Sequence, residues 1–147
     1  MKRLLALTLF ALLAISCSRG HGGISHSSKG ANMTYSVGTQ AELDAANQRV
    51  AQFKQELLRQ GFHEVSISFH DQTADTSLLN SREESVLEGQ HGRLKDLRVN
   101  LWTTKVLQKG QTQLGGGIQA TISDDQADRE FEEFYKRVAS VVTGHAQ

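Results

Sequence analysis

Apolar positions recur along this chain with two different periods, and each period predicts an element. From Leu43 they fall at Ala46, Val50, Phe53 and Leu57, steps of three and four that put them on one stripe of a helix. Thr39-x-x-Glu42 ahead of the stripe has capping-box spacing, in which each side chain satisfies the other residue's free backbone N–H. Gly61 supplies a left-handed stop, and Phe62 is placed to fold back on Leu57 or Leu58. A second stripe, Ala127, Phe131, Phe134, Val138 and Val141, follows Ser123-x-x-Gln126 and ends at Gly144. Its acids, Asp124, Asp125 and Asp128, lie in the first turns, with Lys136 and Arg137 further along, as the helix dipole favours.

Elsewhere the period is two. Val65, Ile67 and Phe69 alternate with Ser66, Ser68 and His70, the pattern of a strand with one buried face. Leu97, Val99 and Leu101 alternate with Arg98, Asn100 and Trp102, which predicts a strand over residues 95–107. A turn at Lys109-Gly110-Gln111 would return it as a second strand with Leu114, Gly116, Ile118, Ala120 and Ile122 facing one way, a hairpin. Gly115-Gly116-Gly117 lacks phosphate-loop spacing and opens a strand instead of a helix, so it predicts a bulge or a close backbone contact. Met33, Tyr35 and Val37 also alternate, as a short strand or as the ordered end of the segment before them. Residues 71–92 are mostly polar. Ser81-x-x-Glu84 fits a short helix through Leu87, and Ser85–Leu87 fits a short edge strand; a mobile excursion is the expectation.

These elements predict an α+β fold. It is a two-layer sandwich: a small antiparallel or mixed sheet of three to four strands, with two helices on one face. Residues 39–147 form a single domain, with Val65, Ile67 and Phe69 in its core beside Leu97, Val99, Leu101, Phe131 and Phe134. Two layers leave the other sheet face uncovered. Ser68, His70, Arg98, Asn100, Trp102 and Gln119 would share that face, and Trp and Arg are enriched at the centres of protein interfaces. Trp102 then either anchors a partner or lies beneath the 71–92 excursion as part of the core.

The start of the chain adds a compartment. Lys2 and Arg3 precede an apolar run from Leu4 to Ile15 broken only by Thr8. Twelve helical residues cover about 18 Å, short of a hydrocarbon core of about 30 Å, so residues 1–16 read as a secretory signal peptide. Cys17, the chain's one cysteine, falls at the cleavage point. Leu13-Ala14-Ile15-Ser16-Cys17 resembles the lipobox of bacterial lipoproteins, with Ala14 where that motif most often has Leu. The resemblance covers the signal segment alone. It implies lipidation of Cys17, a membrane anchor through the lipid, and, with Ser18 instead of Asp after the cysteine, an outer-membrane address facing the periplasm. Residues 17–38, rich in Gly and Ser, would then be a flexible tether.

Composition narrows the function. Loss of residues 1–16 removes Lys2 and Arg3 and leaves 14 basic against 16 acidic residues, with no basic excess for nucleic acid. Neither a Gly-x-Ser-x-Gly elbow nor a His-Glu-x-x-His helix occurs, and the sequence calls for no catalytic residue, metal or small-molecule cofactor. The expectation is a non-enzymatic lipoprotein whose domain binds a protein partner in the periplasm, as an inhibitor, immunity or assembly-type module. An enzyme acting on an envelope polymer and a passive structural lipoprotein are the alternatives.

Overall fold

The computed structural model describes residues 26–72, 80–106 and 111–145. Five strands and two helices follow in the order β1 (Ser27–Val37), α1 (Gln40–Arg59), β2 (His63–Gln72), β3 (Asn80–His91), β4 (Leu94–Val106), β5 (Gln111–Ile122) and α2 (Asp125–Thr143). The strands form one antiparallel sheet in the order β1-β5-β4-β3-β2. The class is therefore α+β, and the strand count is five instead of three to four.

The helices begin and end for the anticipated reasons, with one shift. Thr39 caps α1, accepting from the Glu42 N–H at 3.2 Å, while the Glu42 carboxylate accepts from the Gly38 N–H, one residue before the cap. Asp124 caps α2 in place of Ser123: the Ala127 N–H donates to its Oδ1 at 2.8 Å. A carboxylate serves this position as well as a hydroxyl does, and it adds charge where the dipole is positive. Gly61 and Gly144 stop the helices at φ 94° and 74°.

Two strands correct the expected organisation. Residues 27–37, expected to lie in the tether, are β1, paired with β5 from Ser27 opposite Ile122 to Val37 opposite Thr112. Its alternation begins before Met33: Lys29 and Ala31 share a face with Met33, Tyr35 and Val37, and the backbone of β5 supplies the pairing that Gly and Ser do not favour by themselves. Residues 80–91, expected in a mobile excursion, are β3, at the centre of a β2-β3-β4 meander. Residues 1–25, on which the expected signal segment, Cys17 and the first part of the expected tether fall, lie outside the described residues, as do residues 73–79, residues 107–110, where most of the expected turn falls, and residues 146–147.

Both helices lie on one face. Phe53 of α1 meets Phe134 of α2 with ring centroids 6.4 Å apart, over a core that includes Leu57, Leu87, Leu97, Val99, Leu114, Phe131 and Val138. The triple glycine serves close contact: a Cβ on Gly116 would lie 2.8 Å from a Val138 methyl, and one on Gly117 3.1 Å from the Ala31 carbonyl oxygen.

The predicted core was wrong at one corner. Val65, Ile67 and Phe69 are 43%, 63% and 67% exposed. Their strand is real, and Ile67 and Phe69 lie on the helix face, because Ile67 pairs with Ser85 and Ser85 with buried Leu101; Val65 is the extra residue of a bulge between Glu64 and Ser66. Among the described residues no element covers them. The helix α1 leaves the far end of β1 and arrives at the near end of β2, so it crosses the sheet diagonally. The far corner of β2, with Ile67 and Phe69, lies off that diagonal.

Candidate functional site

The face opposite the helices carries no element among the described residues. Register lays it out as a grid. One row runs Ser68, Glu84, Trp102, Gly115, Thr34; the next Ser66, Val86, Asn100, Gly117, Asn32; the third His63, Glu88, Arg98, Gln119, Gly30. Directly opposed residues on antiparallel strands share a face, so these rows are one surface.

Trp102 stands at its centre and is only half-buried. A Cβ built on Gly115 would fall inside its indole, so the ring lies across the β5 backbone in a slot that only glycine leaves open. The guanidinium of Arg82 covers the ring from the β3 side, 4.7 Å from its centroid, a cation–π contact. Arg82 also pairs with Glu84 at 3.3 Å, and Asn100 Nδ2 donates to Glu84 Oε1 at 3.1 Å. The Nε of Arg82 is buried without a hydrogen-bond partner among the described residues. The indole is thus outside the helix-side core: it is a braced apolar plate among polar groups.

Beside it lies a shallow hollow of about 350 Å³, bounded by Trp102, Arg82, Asn100 and Asn32 and floored by Gly30 and Gly117. A second hollow of about 480 Å³ adjoins it through Gln119 and is lined by His63, Glu88, Arg98 and Asp96. Arg98 Nε donates to Glu88 Oε1 at 2.8 Å, and Gln119 Nε2 to Ser28 Oγ at 3.1 Å. A bulge between Lys95 and Arg98 re-aims β4 at this end. Within it Asp96 adopts φ 50°, a conformation that Asp tolerates better than most residues, and accepts from the Thr121 hydroxyl at 3.1 Å.

Arg82 and Arg98 are therefore each neutralised locally by Glu84 and Glu88, and the face presents donors, acceptors and one aromatic plate without a strong field of either sign. Among the described residues no three His, Cys, Asp or Glu side chains gather as metal ligands. Such a surface can hold an extended polar partner around an apolar centre.

Of the residues singled out in the sequence, Trp102, Arg98, Asn100, Gln119 and Ser68 come together here. The backbone register of His70, opposite Arg82, continues the grid, and its side chain lies outside the described residues. Arg82, Glu84 and Glu88 were missed because β3 was not read as a strand. The alternation Glu84, Val86, Glu88 against Ser85, Leu87, Gly89 was the available signal, masked by the adjacent Val86 and Leu87.

Comparison with protein-family models, with curated proteins and with solved structures finds no match. The geometry alone carries the functional reading.

Proposed function

We propose that this protein is a bacterial lipoprotein anchored through Cys17 to the outer membrane, facing the periplasm, and that its domain binds a protein partner on the open sheet face. The observation that carries the binding is Trp102. An indole held in a glycine slot, stacked by an arginine and ringed by polar side chains, is an anchor of low conformational freedom, the kind of residue that dominates interface energies. An inhibitor, immunity or assembly-type module uses such a face without chemistry of its own.

The described β1 shortens the leash. Ten peptide steps separate Cys17 from Ser27 and reach at most about 35 Å when fully extended. The domain would then work close to the headgroups, with the Ser27 end of the sheet nearest the membrane.

The test is capture of envelope proteins by the full chain and by two variants, Trp102→Ala and Arg98→Glu, whose circular dichroism matches the parent. A specific partner lost from both supports the face, and retention of every partner by both overturns it. Cys17→Ala should move the protein out of the membrane fraction; unchanged fractionation removes the anchor.

A further inference from the structure

The groove between the two helices carries a different balance of charge from the open sheet face. On that face Arg82 and Arg98 are each answered by a glutamate. Between α1 and α2 lies a hollow of about 510 Å³ lined by Arg49, Arg59 and Arg137, with Glu56 as the acidic residue of its wall. The three guanidinium groups are held differently. Arg49 donates through Nε to the Val141 carbonyl at 2.9 Å and through Nη2 to the Val142 carbonyl at 3.4 Å, at the end of α2. These bonds take one edge of the planar fork, and the other edge keeps its donors. Arg137 lies 5.1 Å from the Phe53 ring centroid and pairs with Glu56. Arg59, in the last turn of α1, is exposed and has no ion pair among the described residues.

We propose that this groove docks an extended acidic segment of a protein partner. Spacing distinguishes such a segment from a single anion. Arg49 and Arg59 are ten residues apart on α1, about 15 Å along its axis. Arg137 comes between them, because its partner Glu56 does. One phosphate or carboxylate reaches one or two of the three cations. An extended chain covers the same length in about five residues and can set a carboxylate at each. Guanidinium suits the task, since its fork takes a carboxylate through two parallel bonds. Arg49 and Arg137 are already ordered by the contacts above, so they lose little freedom on binding. The carbonyls at the end of α2 offset part of the Arg49 charge and Glu56 offsets Arg137, which leaves Arg59 the least compensated. The chain has 16 basic and 16 acidic residues, so the attraction belongs to the groove and is not a general pull on polyanions. The groove is on the helix side and Trp102 on the open side, and the two binding surfaces can fail separately.

The test is fluorescence anisotropy of a labelled octaglutamate peptide titrated with the full chain at low salt. Binding should weaken as salt rises, because the contacts are charged and lie at the surface. Arg59→Gln should weaken it about fivefold or more, the loss expected for one charge-assisted pair. Arg59 is exposed, so the glutamine leaves the fold intact. Arg137→Gln should weaken it at least as much, since it also leaves Glu56 facing the peptide without its counter-charge. Lys95→Gln removes the same charge from an exposed site on β4 and should change binding by no more than about twofold. Trp102→Ala should bind the peptide as the parent does. No binding at millimolar peptide, equal weakening by Arg59→Gln and Lys95→Gln, or displacement of the peptide by inorganic phosphate at equal concentration overturns the proposal. Equal affinity for an oligothymidylate of the same charge overturns it as well.

Discussion

The sheet has two edges, β1 and β2, and each carries an alternating apolar row on the helix face. Their fates differ. On β1 the row of Ala31, Met33, Tyr35 and Val37 is partly buried against the core. The Tyr135 hydroxyl donates to the Asn32 carbonyl at 2.9 Å, and the Lys29 ammonium reaches Asp128 at 2.7 Å, and Glu132, while lying 4.8 Å from the Phe131 ring. On β2 only the start is tied down, where Lys54 of α1 pairs with Glu64 and the Ser85 hydroxyl donates to the same carboxylate. Beyond it Ile67 and Phe69 stand in the open. Alternation thus decides which way a side chain points, and the path of the helices decides whether anything meets it.

Two phenylalanines sharpen that contrast most, because the same truncation can be made on α2, which packs beside β1, and on β2. Phe131 is fully buried beneath Lys29 at the β1 side. Phe131→Ala removes a ring from a packed interior and should cost about 3–5 kcal/mol in denaturant unfolding. That is a large share of the roughly 5–15 kcal/mol by which domains are stable. The Lys29 pairs should weaken with it, since the ring supports the lysine stem.

The attachment of β2 should show itself through pH. Lys54, and secondarily the Ser85 hydroxyl, hold the Glu64 carboxyl below the usual carboxylate range. Its folded value is depressed, so its contribution is complete above the unfolded value of about 4.3 and is lost as pH falls through the folded one. Lys54→Met removes the larger cause. The parent should lose stability more steeply than the variant on the acid side of pH 4, while the variant should be less stable at neutral pH. Parallel acid limbs in a pH series of unfolding midpoints would mean that the pair contributes nothing to holding α1 on β2.

The sequence is legible where a signal is local and opaque where it is not. Thr39, Glu42 and the Leu43–Leu57 stripe place α1 without help from the rest of the chain, and Leu97–Ile122 shows the β4–β5 pair by alternation alone. The second helix was displaced by one residue because Ser123 and Asp124 are equally good caps, and only the Asp124–Ala127 bond distinguishes them. Strand β1 hides behind Gly and Ser because its pairing energy comes from β5, 75 to 95 residues away in the chain, from Val37 opposite Thr112 to Ser27 opposite Ile122. Strand β3 hides because Val86 and Leu87 are adjacent, one facing the open side and the other the core. The Trp102 face was visible from β4 and β5, but the Arg82 brace and the Gly115 slot are properties of neighbours in space. The exposure of Val65, Ile67 and Phe69 could not be read at all, since no feature of β2 reports where α1 crosses.

The smallest expected effect is the most informative about that corner. Phe69 has the same side chain as Phe131 and lies on the sheet face that carries the helices, yet it is 67% exposed. Truncation there removes a ring that mostly touches water, so Phe69→Ala should change monomer stability by no more than about 0.5 kcal/mol. The measurement belongs at low protein concentration, where association between copies adds nothing. A cost above about 2 kcal/mol at low concentration would mean that the monomer itself buries Phe69. The two edges would then be alike, and the contrast between them would fail.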